Sequence, residues 1–156
     1  MNLYDCILEG MTRQEKGFAL LEMLLNKEFE NIKQGKIDAV TELEFSIHEL
    51  LRQLAVERDQ IGELLQRKKL SEYLPLLKQE MGDPLKYLAD KVLEREQICA
   101  KQASRNAELV LALLDQGADL LDFLQKQLIP KNQDVYSAAG RFRNMGPQYH
   151  MLRGKL

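Results

Sequence analysis

The residues best placed to do chemistry are His48, Glu49 and the side chains one turn on, because His48-Glu49-Leu50-Leu51-Arg52 opens like the H-E-x-x-H helix of zinc proteases. That motif needs a second imidazole one turn after the first, and Arg52 stands in its place, with a guanidinium that has no lone pair for a cation. A di-iron helical site would need Glu-x-x-His repeated on two helices. Glu44 instead precedes His48 by four residues, and the other histidine, His150, has no Cys, Asp or Glu beside it. The acidic pairs Glu42 with Glu44 and Glu94 with Glu96 read as solvated helix faces. No glycine-rich phosphate loop, nucleophile elbow or serine with a local base is present. Cys6 and Cys99 lie far apart within helical patterns, so reduced, partly buried thiols are expected, not a disulfide. No catalytic residue, metal site or cofactor is therefore expected, and the function must come from binding.

What must position any binding surface is a set of long helices. Of 156 residues, 45% are hydrophobic and 29% charged, only 4 are proline and 9 glycine, and runs alternating with a period of two are missing. The expected fold class is all-α: an antiparallel bundle or coiled coil of three long helices, with a short crossover helix between the second and third and a C-terminal tail. The first pattern runs Ile7, Met11, Gln14, Phe18, Leu21, Leu25, Glu28, Ile32 and stops at Gly35. It is read as continuous from Asn2, tolerating Gly10 and Gly17. Asp38 suits the N-cap of the second, with Leu43, Ile47, Leu50, Leu54, Ile61 and Leu64, which fades at Arg67-Lys68-Lys69. A short segment through Pro75 crosses over. Gly82-Asp83-Pro84 then combines a stop, a cap and a proline suited to the first helical position, so the third helix is expected to start there. Its stripe of Leu85, Leu88, Val92, Cys99, Leu109, Leu113, Leu120 and Phe123 continues to about Ile129, broken at core positions by Arg95, Gln102 and Asn106.

The domain boundary is expected at Pro130, with a helical domain over 1–129 and a recognition tail over 130–156. The tail holds Lys131, Arg141, Arg143, Arg153 and Lys155 against Asp134 alone, so a charge of +4 there leaves −6 on the body within the total of −2. An acidic body argues against nucleic acid as a partner. No apolar run reaches the roughly 18 residues of a membrane span, and Met1-Asn2-Leu3-Tyr4-Asp5 lacks the character of a signal peptide, so a cytoplasmic protein without stable membrane insertion is expected. Near the end of the third helix, leucines spread wider than a two-partner seam requires. Leu109, Val110, Leu113, Leu114, Leu120, Leu121, Leu124 and Leu128 are the expected partner-binding residues, joined in the tail by Tyr136, Gly140, Arg141 and Phe142.

Gln34-Gly35-Lys36-Ile37-Asp38 between two long helices, Ser104-Arg105-Asn106-Ala107 in the third, and Val135-Tyr136-Ser137-Ala138-Ala139-Gly140-Arg141 after it together resemble the FlgN family of flagellar export chaperones. The resemblance covers essentially the whole chain. It implies a chaperone that holds the hook-filament junction proteins FlgK and FlgL by their C-terminal region before type III secretion, and delivers them to the export-gate protein FlhA. It also implies that Tyr136 docks on the gate. The contrasting reading is a structural coiled coil or helical adaptor that self-associates, for example as a homodimer, through the same leucines and has no secretory client.

Overall fold

The computed structural model describes residues 2–128, and every regular element among them is helical: α1 (Leu3–Lys33), α2 (Ile37–Leu64), a short α3 (Leu70–Tyr73) continued by a 3-10 turn (Leu74–Leu76), and α4 (Gln79–Leu128). The all-α expectation holds. The tail over 130–156 lies outside the described residues.

Helix α1 is continuous, as expected, because its start is capped at Asn2, whose side chain accepts the Tyr4 N–H while the Asp5 carboxylate accepts the Asn2 N–H. Its end is closed by Gly35 at φ +67°. The Gly35 and Lys36 N–H groups donate to the Ile32 and Asn31 carbonyls, both at 3.0 Å, and this Schellman turn uses the left-handed conformation that glycine adopts without cost. Lys36 is already committed to that turn, so α2 begins at Ile37, and the expected cap Asp38 sits in its first turn facing the positive helix end. α2 closes with the same two hydrogen bonds, here through Gln66 and Arg67 at φ 53° and 62°. Left-handed conformations there cost about 1–2 kcal/mol per residue. The turn buries Leu65, not the expected Leu64, and the Arg67 guanidinium pairs with Asp59 at 2.6 Å.

The third long helix starts one turn earlier than expected. Met81 and Gly82 both donate to the Lys78 carbonyl at 2.9 Å, which closes a turn ahead of Gly82-Asp83-Pro84. Pro84 then lies inside α4, and its missing N–H leaves the Glu80 carbonyl without a helical donor, at an exposed position open to solvent.

The chain divides into two compact units, Met1–Asp115 and Gln116–Leu156. In the first, α1 is the common neighbour. All eight residues of its expected stripe are buried, Gln14 and Glu28 included. α2 runs antiparallel to it: the Gln14 amide donates to the Leu54 carbonyl at 2.8 Å, and Arg13 meets Glu57 at 3.4 Å. Gly10 and Gly17 are not merely tolerated. A Cβ on Gly17 would stand 2.6 Å from Leu54 Cδ2, and one on Gly10 would stand 2.9 Å from Ile61 Cγ1, so two knobs seven residues apart on α2 enter two holes seven apart on α1. α4 runs parallel to α1, with Tyr4 Oη donating to the Met81 carbonyl (2.9 Å), Arg95 pairing with Glu15 and Glu22, and Cys99 Sγ meeting the Phe18 carbonyl (3.4 Å). Among the described residues of the second unit, 116–128, all are helical and exposed.

Because the helix contact is closest at Gly17, Gly17→Leu should destabilise the protein by about 1–3 kcal/mol through overpacking. Urea unfolding would measure it. Leu54→Ala in the same chain should recover part of the loss, whereas strictly additive losses would show that the two residues do not meet.

Candidate partner-binding surfaces

The apparent chemical motif dissolves on α2. His48 is exposed and 3.3 Å from Glu44, while Arg52 donates to Glu49 at 3.0 and 2.7 Å. Those hydrogen bonds hold the Glu49 carboxylate down at about 2, too acidic for a general base. Glu94 pairs with Lys91 and Glu96 with Arg58. The free cysteine Cys99 is buried, and desolvation raises its thiol to about 11. It is therefore protonated and donates to the Phe18 carbonyl.

The three polar interruptions expected in the α4 stripe are all partnered. Arg95, half-buried, spans Glu15 (2.8 Å) and Glu22 (3.0 Å) on α1. One turn-pair further on, Gln102 donates to Asn106 Oδ1, and Asn106 Nδ2 donates both to the Leu25 carbonyl (2.9 Å) and to Glu28 Oε2 (2.6 Å). Burial and the neighbouring Glu44 carboxyl raise Glu28 to about 7, even though the Asn106 hydrogen bond opposes the shift. Glu28, Glu44 and Asn106 thus meet in a layer made by all three long helices. Such a layer costs stability but sets helix register, because a one-turn slip would leave Asn106 and Glu28 buried without partners.

Beside this layer α2 and α4 stand apart, and α1 forms the floor of a groove of about 1040 Å³ between them. Phe18, Leu21 and Leu25 line the floor, Leu51 and Ile47 one wall, and Ala100, Ala103 and Ala107 the other. Of the described residues expected to bind partners, only Val110 lines this surface, and the rest of it was missed. Its only signal was the alanines at spacings of three and four, which leave room beside a helix without marking it as polar or apolar.

The second surface is the leucine-rich end of α4. Leu85, Val92, Cys99 and Asn106 follow one another at seven-residue steps and are buried; the next two steps, Leu113 and Leu120, are 44% and 58% exposed. The reason is length. Asn106 lies beside Leu25, so by the same register α1, ending at Lys33, has little left to cover Leu113. Of the residues expected to bind partners, Leu109 is half-buried, and Val110, Leu113, Leu114, Leu120, Leu121, Leu124 and Leu128 are exposed, as are Leu111 and Phe123. Tyr136, Gly140, Arg141 and Phe142 lie outside the described residues. Among the described residues, no helix is long and apolar enough to cross a membrane.

The sequence pattern of the FlgN protein family matches residues 1–144. The chain belongs to the FlgN family. That match takes in the whole helical body and the tail residues Val135 to Arg141 quoted above, and it makes the chain a member of a family of flagellar export chaperones. No curated protein and no solved structure matches the chain.

The raised Glu28 carboxyl makes stability depend on pH in a defined direction. Between its ordinary value near 4.5 and about 7 the folded protein holds a proton that the unfolded chain has released, so stability falls as pH rises through that window. Thermal unfolding at pH 5.5 and pH 8 should show a higher Tm at the lower pH from this group. Glu28→Gln, which mimics the protonated acid, should raise the Tm at pH 8 and flatten the difference; a variant with the wild-type slope would rule out Glu28 as its source.

Proposed function

We propose that this chain binds the C-terminal helical region of hook-associated proteins of the FlgK and FlgL type in the cytoplasm, keeps them from assembling early, and delivers them to the export-gate protein FlhA. It acts by binding alone, without catalysis or a cofactor. The observation that carries the reading is the run Val110, Leu113, Leu114, Leu120, Leu121, Leu124 and Leu128, each between 38% and 78% exposed on one helix. A subunit that polymerises through amphipathic terminal helices carries apolar faces that must be covered before assembly, and a leucine stripe covers such a face by helix-to-helix packing. The recognition unit continues into the tail, where Gly140, Arg141 and Phe142 extend the client contact and Tyr136 addresses the gate.

Self-association is the second reading, favoured by the seven-residue spacing of Leu114, Leu121 and Leu128, which suits a coiled-coil seam. Light scattering with and without a client fragment separates the two. A client-binding surface exchanges self-contacts for the fragment, whereas a structural oligomer keeps its mass.

Leu121→Asp with Leu124→Asp should leave the helical circular dichroism unchanged and weaken capture of a hook-associated C-terminal fragment by more than about tenfold, equivalent to about 1.4 kcal/mol. Unchanged affinity would remove the stripe from the client site. Tyr136→Ala should spare client capture and reduce gate binding in pull-downs with the FlhA cytoplasmic region; parallel loss of both would defeat the division of roles.

A further inference from the structure

The groove between α2 and α4 adjoins the exposed leucine stripe at Val110 but is lined mainly by other residues, and its dimensions suit a single kind of occupant. From Glu96 to Leu111 the α4 wall extends about 22 Å, at roughly 1.5 Å per residue. A helix about 10 Å across, half sunk along that length, displaces on the order of 900 Å³. The groove offers about 1040 Å³. Ala100, Ala103 and Ala107 are exposed and carry only methyl groups, so a second backbone can approach α4 closely along this wall, while Phe18, Leu21 and Leu25 supply apolar floor.

Charge distinguishes the two ends. At one, Arg58 pairs with Glu96 across the groove at 3.0 Å and lies over the Phe18 ring, and Arg67 is paired with Asp59, so these cations and anions are already matched. At the other, Glu28 and Glu44 both line the groove, His48 lies 3.3 Å from Glu44, and no Lys or Arg is paired to either carboxyl among the described residues.

We propose that this groove seats an amphipathic helix of the client, about four turns long, with its apolar side on α1 and a lysine or arginine placed against Glu28 and Glu44. The inserted helix completes a four-helix bundle over the apolar floor that α1 provides. Arg58 and Glu96 stop it at one end, and the two carboxyls fix its register at the other. The inference rests on the reading that the chain binds the terminal helices of hook-associated proteins, and it adds a contact that the leucine stripe does not provide.

The test is a titration of a fluorescent hook-associated C-terminal fragment into the full chain. Ala103→Trp, which fills the groove from an exposed position, should weaken binding at least tenfold, and Glu44→Lys should weaken it severalfold with greater loss at low salt. Wild-type affinity in Ala103→Trp overturns the groove and leaves the leucine-stripe reading standing, whereas no binding by the wild-type chain overturns both. As a readout that does not depend on bulk at that site, Ala103→Cys carrying an environment-sensitive dye, with Cys6 replaced by serine, should shift to the blue on adding fragment; an unshifted spectrum at saturation overturns the proposal. Concentration-dependent dimerisation that Ala103→Trp abolishes, without any effect on the fragment, would assign the groove to a second copy and likewise overturn it.

Discussion

Everything in the first unit depends on α1 being covered from two sides. Its stripe from Ile7 to Ile32 is broad enough to need both α2 and α4, and each helix approaches by a different device. On one flank Gly10 and Gly17 let Ile61 and Leu54 sink into the α1 surface, so α2 lies unusually close. On the other, the contact is set by directed bonds, from Tyr4 to the Met81 carbonyl, from Arg95 to two glutamates, and from Asn106 to Leu25 and Glu28. Close apolar packing gives one interface its stability, and hydrogen bonding gives the other its register.

Both apolar surfaces follow from that arrangement. Since α2 and α4 are each anchored to α1, they need not fill the space between themselves, and small alanines on α4 leave that space open. Since α1 ends at Lys33 while α4 continues to Leu128, the α4 stripe has more apolar length than its neighbour can bury. In a FlgN-family chaperone both surpluses suit the proposed role, because apolar surface left unfilled by the protein's own chain is what a client with exposed helical faces can occupy. The same surface carries the hazard of self-association, which the net charge of −6 on the body opposes.

The polar layer gives up stability for helix register. Burial and the neighbouring Glu44 raise the Glu28 carboxyl to about 7, and the groove ends in a pair of carboxyls to which no Lys or Arg is paired among the described residues. A wholly apolar layer would be more stable, but it would not discriminate among sliding helix registers or among incoming helices.

Periodicity alone determined the helices and the buried side of α1. Even Gln14 and Glu28 were correctly placed inside, because a residue's position on a long stripe outweighs its polarity when a partner is available to satisfy it. Punctuation was less legible. Gly82-Asp83-Pro84 looked like a helix start, and only the turn closed on the Lys78 carbonyl, together with the exposure of Glu80, allowed the helix to run through it. Likewise Asp38 and Leu64 yielded their expected roles to Lys36 and Leu65, since the cap and the buried residue depend on how each turn closes. The exposed leucines were legible as an excess over what a seam needs. What only the tertiary structure decided was where burial stops and where a groove opens, because those depend on how far one helix reaches along another and how closely each pair approaches. Neither distance is written in the pattern of a single helix.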